Sequence, residues 1–112
     1  MVQIEEVQRW PMPSRPVESW IEQQVVEYAI KLGMTTLKLN VSGRIGWPDR
    51  IFLFRGHTFF IEFKREGEAP RAAQRYVHGI IAAQGFEVFV IDDVKQGKEL
   101  IDAEIRLQRV CP

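Results

Sequence analysis

Apolar residues along this chain change their period in a regular order, and each change marks out an element. Over residues 17–32, Ile21, Val25, Tyr28, Ala29 and Leu32 recur at helical spacing, and Gly33 supplies the residue expected just past a helix end. Residues 35–41 then alternate, with Leu37, Leu39 and Val41 against Thr36, Lys38 and Asn40, which predicts a first strand. Residues 51–54 and 58–63 are dense in β-branched and aromatic side chains and flank Arg55-Gly56-His57, so they predict a hairpin turning on those three residues. In its second arm Phe59, Ile61 and Phe63 share one face, and Phe60, Glu62 and Lys64 the other. Pro70 predicts the start of a second helix that runs to Gln84 and stops at Gly85. Residues 86–91 are nearly all apolar, as expected of a strand buried on both faces. From residue 94 to about 107, Leu100, Ile101 and Ile105 predict a third helix, whose first turn Gly97 weakens and whose last residues fit extended chain equally well. Helix, three strands, helix, strand and helix make an α/β fold with a mixed sheet flanked by helices.

Composition narrows the class. A chain of 112 residues suffices for one small domain. Residues 1–16, with Pro11, Pro13 and Pro16, predict an extended arm, on which Trp10 and Met12 are free to pack elsewhere. Residues 17–93 form the expected core, and 94–112 a C-terminal helix and tail. Fifteen acidic and fifteen basic residues cancel, which excludes the overall basic field of a passive nucleic-acid coat protein, so any nucleic-acid contact has to come from a local patch. The lone Cys111 excludes an internal disulfide and a Cys-based zinc site. With no apolar run of membrane-spanning length and no secretory pattern, the expected location is cytoplasmic, away from membranes.

The chemistry concentrates around the hairpin. Pro48-Asp49 opens its first strand, and after twelve residues Glu62-Phe63-Lys64 closes its second. An antiparallel return brings Asp49 beside Glu62 or Lys64. Carboxylate oxygens suit Mg²⁺ or Mn²⁺, which polarises a phosphoryl oxygen and acidifies a bound water, while an adjacent ammonium orients that water or stabilises developing charge. Glu-X-Lys on a strand is by itself usually a solvated ion pair worth about 0–1 kcal/mol. Here strongly apolar neighbours on both faces place it on a central strand, where charges are rare. On the second helix Arg71, Gln74, Arg75 and His78 fall on one polar stripe suited either to phosphates or to solvent, with Ala73, Tyr76, Val77, Ile80 and Ile81 assigned to the buried side. Lys38, Ser42, Arg44 and Arg50 add polar and basic groups around the same opening. Glu22 on the first helix is a further candidate ligand, with Glu18 and Glu27 as alternatives under a rotated helix. Ser19-Trp20-Ile21-Glu22 also fits a capping box.

Gly46-Trp47-Pro48-Asp49-Arg50, Phe60-Ile61-Glu62-Phe63-Lys64 and Gln74, in this element order, resemble the VRR-NUC family of the PD-(D/E)XK nucleases over about residues 18–92. The helix-one run Glu18-Ser19-Trp20-Ile21-Glu22 and Gly85-Phe86-Glu87-Val88 belong to the same likeness. The resemblance implies a restriction-endonuclease-like core, α-β-β-β-α-β, that hydrolyses DNA phosphodiester bonds with Mg²⁺ or Mn²⁺. It implies Asp49 and Glu62 as metal carboxylates, Lys64 as catalytic lysine, Glu22 as the helix-one acid, Gln74 as the helix-two glutamine, and the backbone carbonyl of Phe63 as a further metal ligand. Small members resemble junction-resolving enzymes that act as homodimers on branched DNA, in repair, restriction or phage DNA processing. Trp47 departs from the small aliphatic residue usual between that Gly and Pro. A catalytically weak DNA-binding module and an RNA nuclease stand as alternatives.

Overall fold

A computed structural model of the chain describes residues 16–110. The elements are α1 (Glu18–Lys31), β1 (Thr35–Lys38), β2 (Arg50–Phe54), β3 (His57–Phe63), α2 (Ala72–Ala83), β4 (Glu87–Ile91) and α3 (Val94–Val110). Their order is the one the hydrophobic pattern predicts. Expectations for Trp10, Met12 and the rest of the arm before Pro16, and for Cys111, lie outside the described residues.

The four strands form one sheet in the order β1-β2-β3-β4. β1 pairs with β2 and β2 with β3 antiparallel, while β3 and β4 run parallel, a pairing that needs a crossover, which α2 supplies. The β2–β3 turn is two residues long. Arg55 and Gly56 both have positive φ, 50° and 86°, the geometry whose twist suits a tight hairpin. His57 therefore belongs to β3, opposite Phe54, instead of to the turn as predicted.

One face of the sheet carries the core. Phe52, Phe59, Ile61, Phe63 and Ile91 pack against Ile21, Val25 and Ala29 of α1 and Val94 and Ile101 of α3. Phe52 and Phe59 stack at 5.1 Å between ring centroids, and Phe89 meets Phe59 edge-on. The third helix is thus part of this core, and its first turn is capped by Asp93, whose Oδ2 accepts from the Gln96 N–H. Gly97, which helix propensity marks as a weakness, lies at the α1 crossing. A Cβ there would come within 2.4 Å of Val25 Cγ2.

The opposite face carries Phe60, Glu62 and Lys64, and α2 covers part of it with Gln74, Val77 and Ile81. Two expectations fail here. Tyr76, 73% exposed, and Ile80 turn to solvent, because α2 is rotated so that Gln74 and His78 face the sheet. β4 is an edge strand, so Val90 is exposed and Val88 and Phe89 are only half-buried. β1 is also shorter than predicted, ending at Lys38.

Candidate active site

The site is built where β2 begins and β3 ends. Loop 39–49 holds Pro48, which is fully buried, and the Leu39 N–H donates to the Asp49 carbonyl. Gly46, at φ 94°, lies so close to α2 that a Cβ would stand 2.4 Å from the Ala73 carbonyl oxygen. Only glycine allows that approach, which ties the loop carrying Pro48-Asp49 to the start of the helix carrying Gln74.

The antiparallel register sets Arg50 opposite Ile61, which carries Asp49 to the position beside Glu62. The Asp49 side chain is fixed there: its Oδ2 accepts from the Phe63 N–H at 2.7 Å. Glu62, 3% exposed, is one of the few buried carboxylates. Its Oε2 accepts from Gln74 Nε2 at 3.0 Å and lies 3.9 Å from Lys64 Nζ, itself buried. The Gln74 amide cannot turn freely, because its Oε1 accepts from the Arg71 N–H at the helix start. Helix α2 thus aims a donor at Glu62 by satisfying one of its own end groups.

Electrostatics follow from burial. Burial pushes the Glu62 carboxyl up to about 7, and the neighbouring Asp49 adds to the rise, while Lys64 opposes it. Asp49 is also raised, by burial first, against the lowering effect of the Phe63 N–H. Two adjacent carboxyls whose ionisation is opposed by burial form a pair that a bound cation would stabilise in the charged state. One oxygen of the pair, Glu62 Oε1, is sealed from solvent without a hydrogen-bond partner. These donors fit a hard divalent cation such as Mg²⁺ or Mn²⁺. Among the described residues no three His, Cys, Asp or Glu side chains group as a metal site by themselves.

Glu22 is buried on α1, and its carboxylate is held by two cations. Lys38 Nζ donates to both oxygens, at 3.0 and 2.9 Å, and Arg50 Nε donates to Oε2 at 2.6 Å. It is near enough to Asp49 to raise that carboxyl, so it belongs to the rim of the site, paired with cross-strand neighbours of β1 and β2. The capping-box reading does not hold, since α1 begins after Val17 with no side-chain cap. The alternatives Glu18 and Glu27 are both exposed, and Glu27 accepts from Gln23.

Of the basic and polar residues proposed to meet a backbone, Ser42, Arg44, Arg71 and Arg75 are exposed, with Arg75 Nη1 donating to the Pro70 carbonyl. Lys38 is largely exposed despite its bond to Glu22, and Arg50 is half-buried under the same carboxylate. His78 is half-buried with Nε2 3.8 Å from Glu62 Oε1, and burial lowers its pKa. The four-residue spacing from Gln74 to His78 was the available sign that both share a face. Which way that face points was not in the spacing.

No family model matches the chain, and no curated protein does. Among solved structures, one described as a VRR_NUC domain is 33% identical, with a TM-score of 0.70 over 76% of this chain and 94% of that one. A likeness of that identity across nearly the whole of the solved domain, on the sheet that sets Asp49, Glu62 and Lys64 side by side, shows that the chain belongs to the VRR-NUC family of nuclease-like domains.

Proposed function

We propose that the protein is a Mg²⁺- or Mn²⁺-dependent DNA endonuclease that hydrolyses phosphodiester bonds, acting as a homodimer on branched DNA. The observation that carries this reading is the adjacent carboxylates of half-buried Asp49 and buried Glu62, with the Lys64 ammonium 3.9 Å from Glu62 Oε2. Asp49, Glu62 and the Phe63 carbonyl are the groups that would hold the cation. When bound, it would neutralise charge on a phosphoryl oxygen and acidify a water. The chain's own residues do the rest. Gln74 orients Glu62, and the Phe63 N–H orients Asp49. Lys64 positions the attacking water and stabilises charge on the phosphoryl group as the new P–O bond forms and the bond to the 3′ oxygen breaks in line. Arg44, Arg71 and Arg75 lie exposed where a phosphate backbone would be drawn in. Leu37 and Leu53 stand exposed on the sheet face that carries Glu62, apolar area consistent with a second copy.

The test is cleavage of labelled duplex, single-stranded, flap and four-way DNA, with matched RNA, in Mg²⁺, Mn²⁺ or EDTA. Metal-dependent products on branched DNA are expected, with Lys64→Ala slowing the reaction about 100-fold or more while leaving DNA binding in place. No product with either metal on any substrate overturns the nuclease reading. Light scattering tests the assembly: a dimer at micromolar concentration is expected, and a monomer removes the homodimer.

A further inference from the structure

The His78 imidazole, expected to meet phosphates or solvent, turns to the sheet instead, and the proposed reaction gives it no role. Its Nε2 is sealed from solvent and has no hydrogen-bond partner, and the same holds for Glu62 Oε1, 3.8 Å away. Among the described residues the only other buried side-chain atom in that condition is Thr36 Oγ1, on a different face of the sheet. Two buried polar atoms left unmet beside each other are uncommon, since a group removed from water normally finds a partner. The gap is too long for a hydrogen bond as it stands, and with both atoms closed to water it is met directly when the imidazole moves about 1 Å toward the carboxylate. His78 lies one turn after Gln74 on α2, so both side chains reach the Glu62 carboxylate from the same helix. Gln74 holds Oε2. Nothing yet named holds Oε1.

We propose that His78 is a positioning residue for Glu62: its Nε2–H closes on Oε1 while Gln74 holds Oε2, so that α2 fixes the plane of the carboxylate that receives the cation. This rests on the reading of Glu62 as a metal ligand and deepens it. A carboxylate held at one oxygen still swivels about that contact. Held at both, it presents its remaining lone pairs in one direction, and groups that orient a ligand in this way typically change metal affinity about 10- to 100-fold when removed.

Mn²⁺ binding by calorimetry, on the full chain, gives the test. The proteins are wild type, Asp49→Asn, two replacements of different shape without a donor, His78→Phe and His78→Leu, and His78→Gln, which keeps one. Both donor-less variants should bind Mn²⁺ about tenfold more weakly, and His78→Gln should return most of that loss. Under cleavage conditions the Mn²⁺ concentration giving half-maximal rate should rise in the same proportion, with the KM for DNA unchanged. A purely structural role predicts a lower melting temperature in metal-free protein and equal damage from all three His78 variants. Wild-type affinity in His78→Phe and His78→Leu overturns the inference while leaving the nuclease reading intact. So does a high-resolution structure of the metal-bound protein with His78 Nε2 beyond hydrogen-bond distance of Glu62 Oε1. If wild type and Asp49→Asn give the same isotherm, the metal reading itself fails, and the role of His78 falls with it.

Discussion

Glu62 shows how one side chain's surroundings become a measurable property of the protein. Its carboxyl is raised from an ordinary 4.5 to about 7, chiefly by burial. A folded state that holds a proton more tightly than the unfolded chain gains stability from that group below about pH 4.5, and loses it as pH rises through about 7. Asp49 is shifted in the same direction, whereas His78, lowered by burial, contributes stability that is lost as pH falls through the histidine range. Comparing wild type with Glu62→Gln isolates the first effect. Between pH 5 and pH 8 the urea midpoint of the metal-free wild type should fall relative to that of the variant. A cation reverses the sign, since it competes with the proton. Below about pH 7, Mn²⁺ binding should therefore release protons, detectable by calorimetry in two buffers of different ionisation enthalpy. Equal proton release in Glu62→Gln would assign the proton to another group. The residue types of this site were readable from Pro48-Asp49 and Glu62-Phe63-Lys64, because their spacing on a hairpin leaves few registers. The pairing of Glu22 with Lys38 and Arg50 was not, because it joins a helix to two strands with no fixed sequence offset.

Among the elements, the hairpin was the most legible and α2 the least. Alternation in β3 sorts Phe59, Ile61 and Phe63 from Glu62 and Lys64 without help from any neighbour, and all three apolar side chains are fully buried. On α2 the sequence assigned the apolar stripe to burial and the polar stripe to phosphates or solvent. The helix turned Gln74 inward because Glu62 offered a partner there, and so left Tyr76 in water. Gly46 is what sets the height of that helix over the loop. Gly46→Ala combines a left-handed backbone with a Cβ pressed into the Ala73 carbonyl, and should cost about 2 kcal/mol or more, with a loss of cleavage as Asp49 and Gln74 separate. Gly43, also at positive φ, has nothing within 4 Å of its added Cβ, so Gly43→Ala should cost about 1 kcal/mol and leave cleavage unchanged. Urea titration and cleavage rates of the two variants separate backbone strain from the loop–helix contact. Equal effects would remove the contact from the account.

At the scale of the whole molecule, α1 and α3 close one face of the sheet, and Ile101 is as deeply buried as Ile21. A chain ending at residue 93 exposes Ile21, Val25 and Ala29 and removes Val94 and Ile101, so it should show no cooperative urea transition by circular dichroism. A sharp transition would instead make 17–93 an independent core. Among the described residues no helix is long and apolar enough to cross a membrane. By itself the sequence determined which elements form, in what order, and which residues face together along each strand, since these depend on local period and on residues such as Gly33, Pro70 and Gly85. It also carried the family likeness, because motif and spacing survive without coordinates. Only the tertiary structure decided the rotation of α2, the edge position of β4, the service of Gly97 at a helix crossing, and the meeting of His78 with Glu62. Each of these depends on which buried partner a face finds, and such partners lie far apart in the chain.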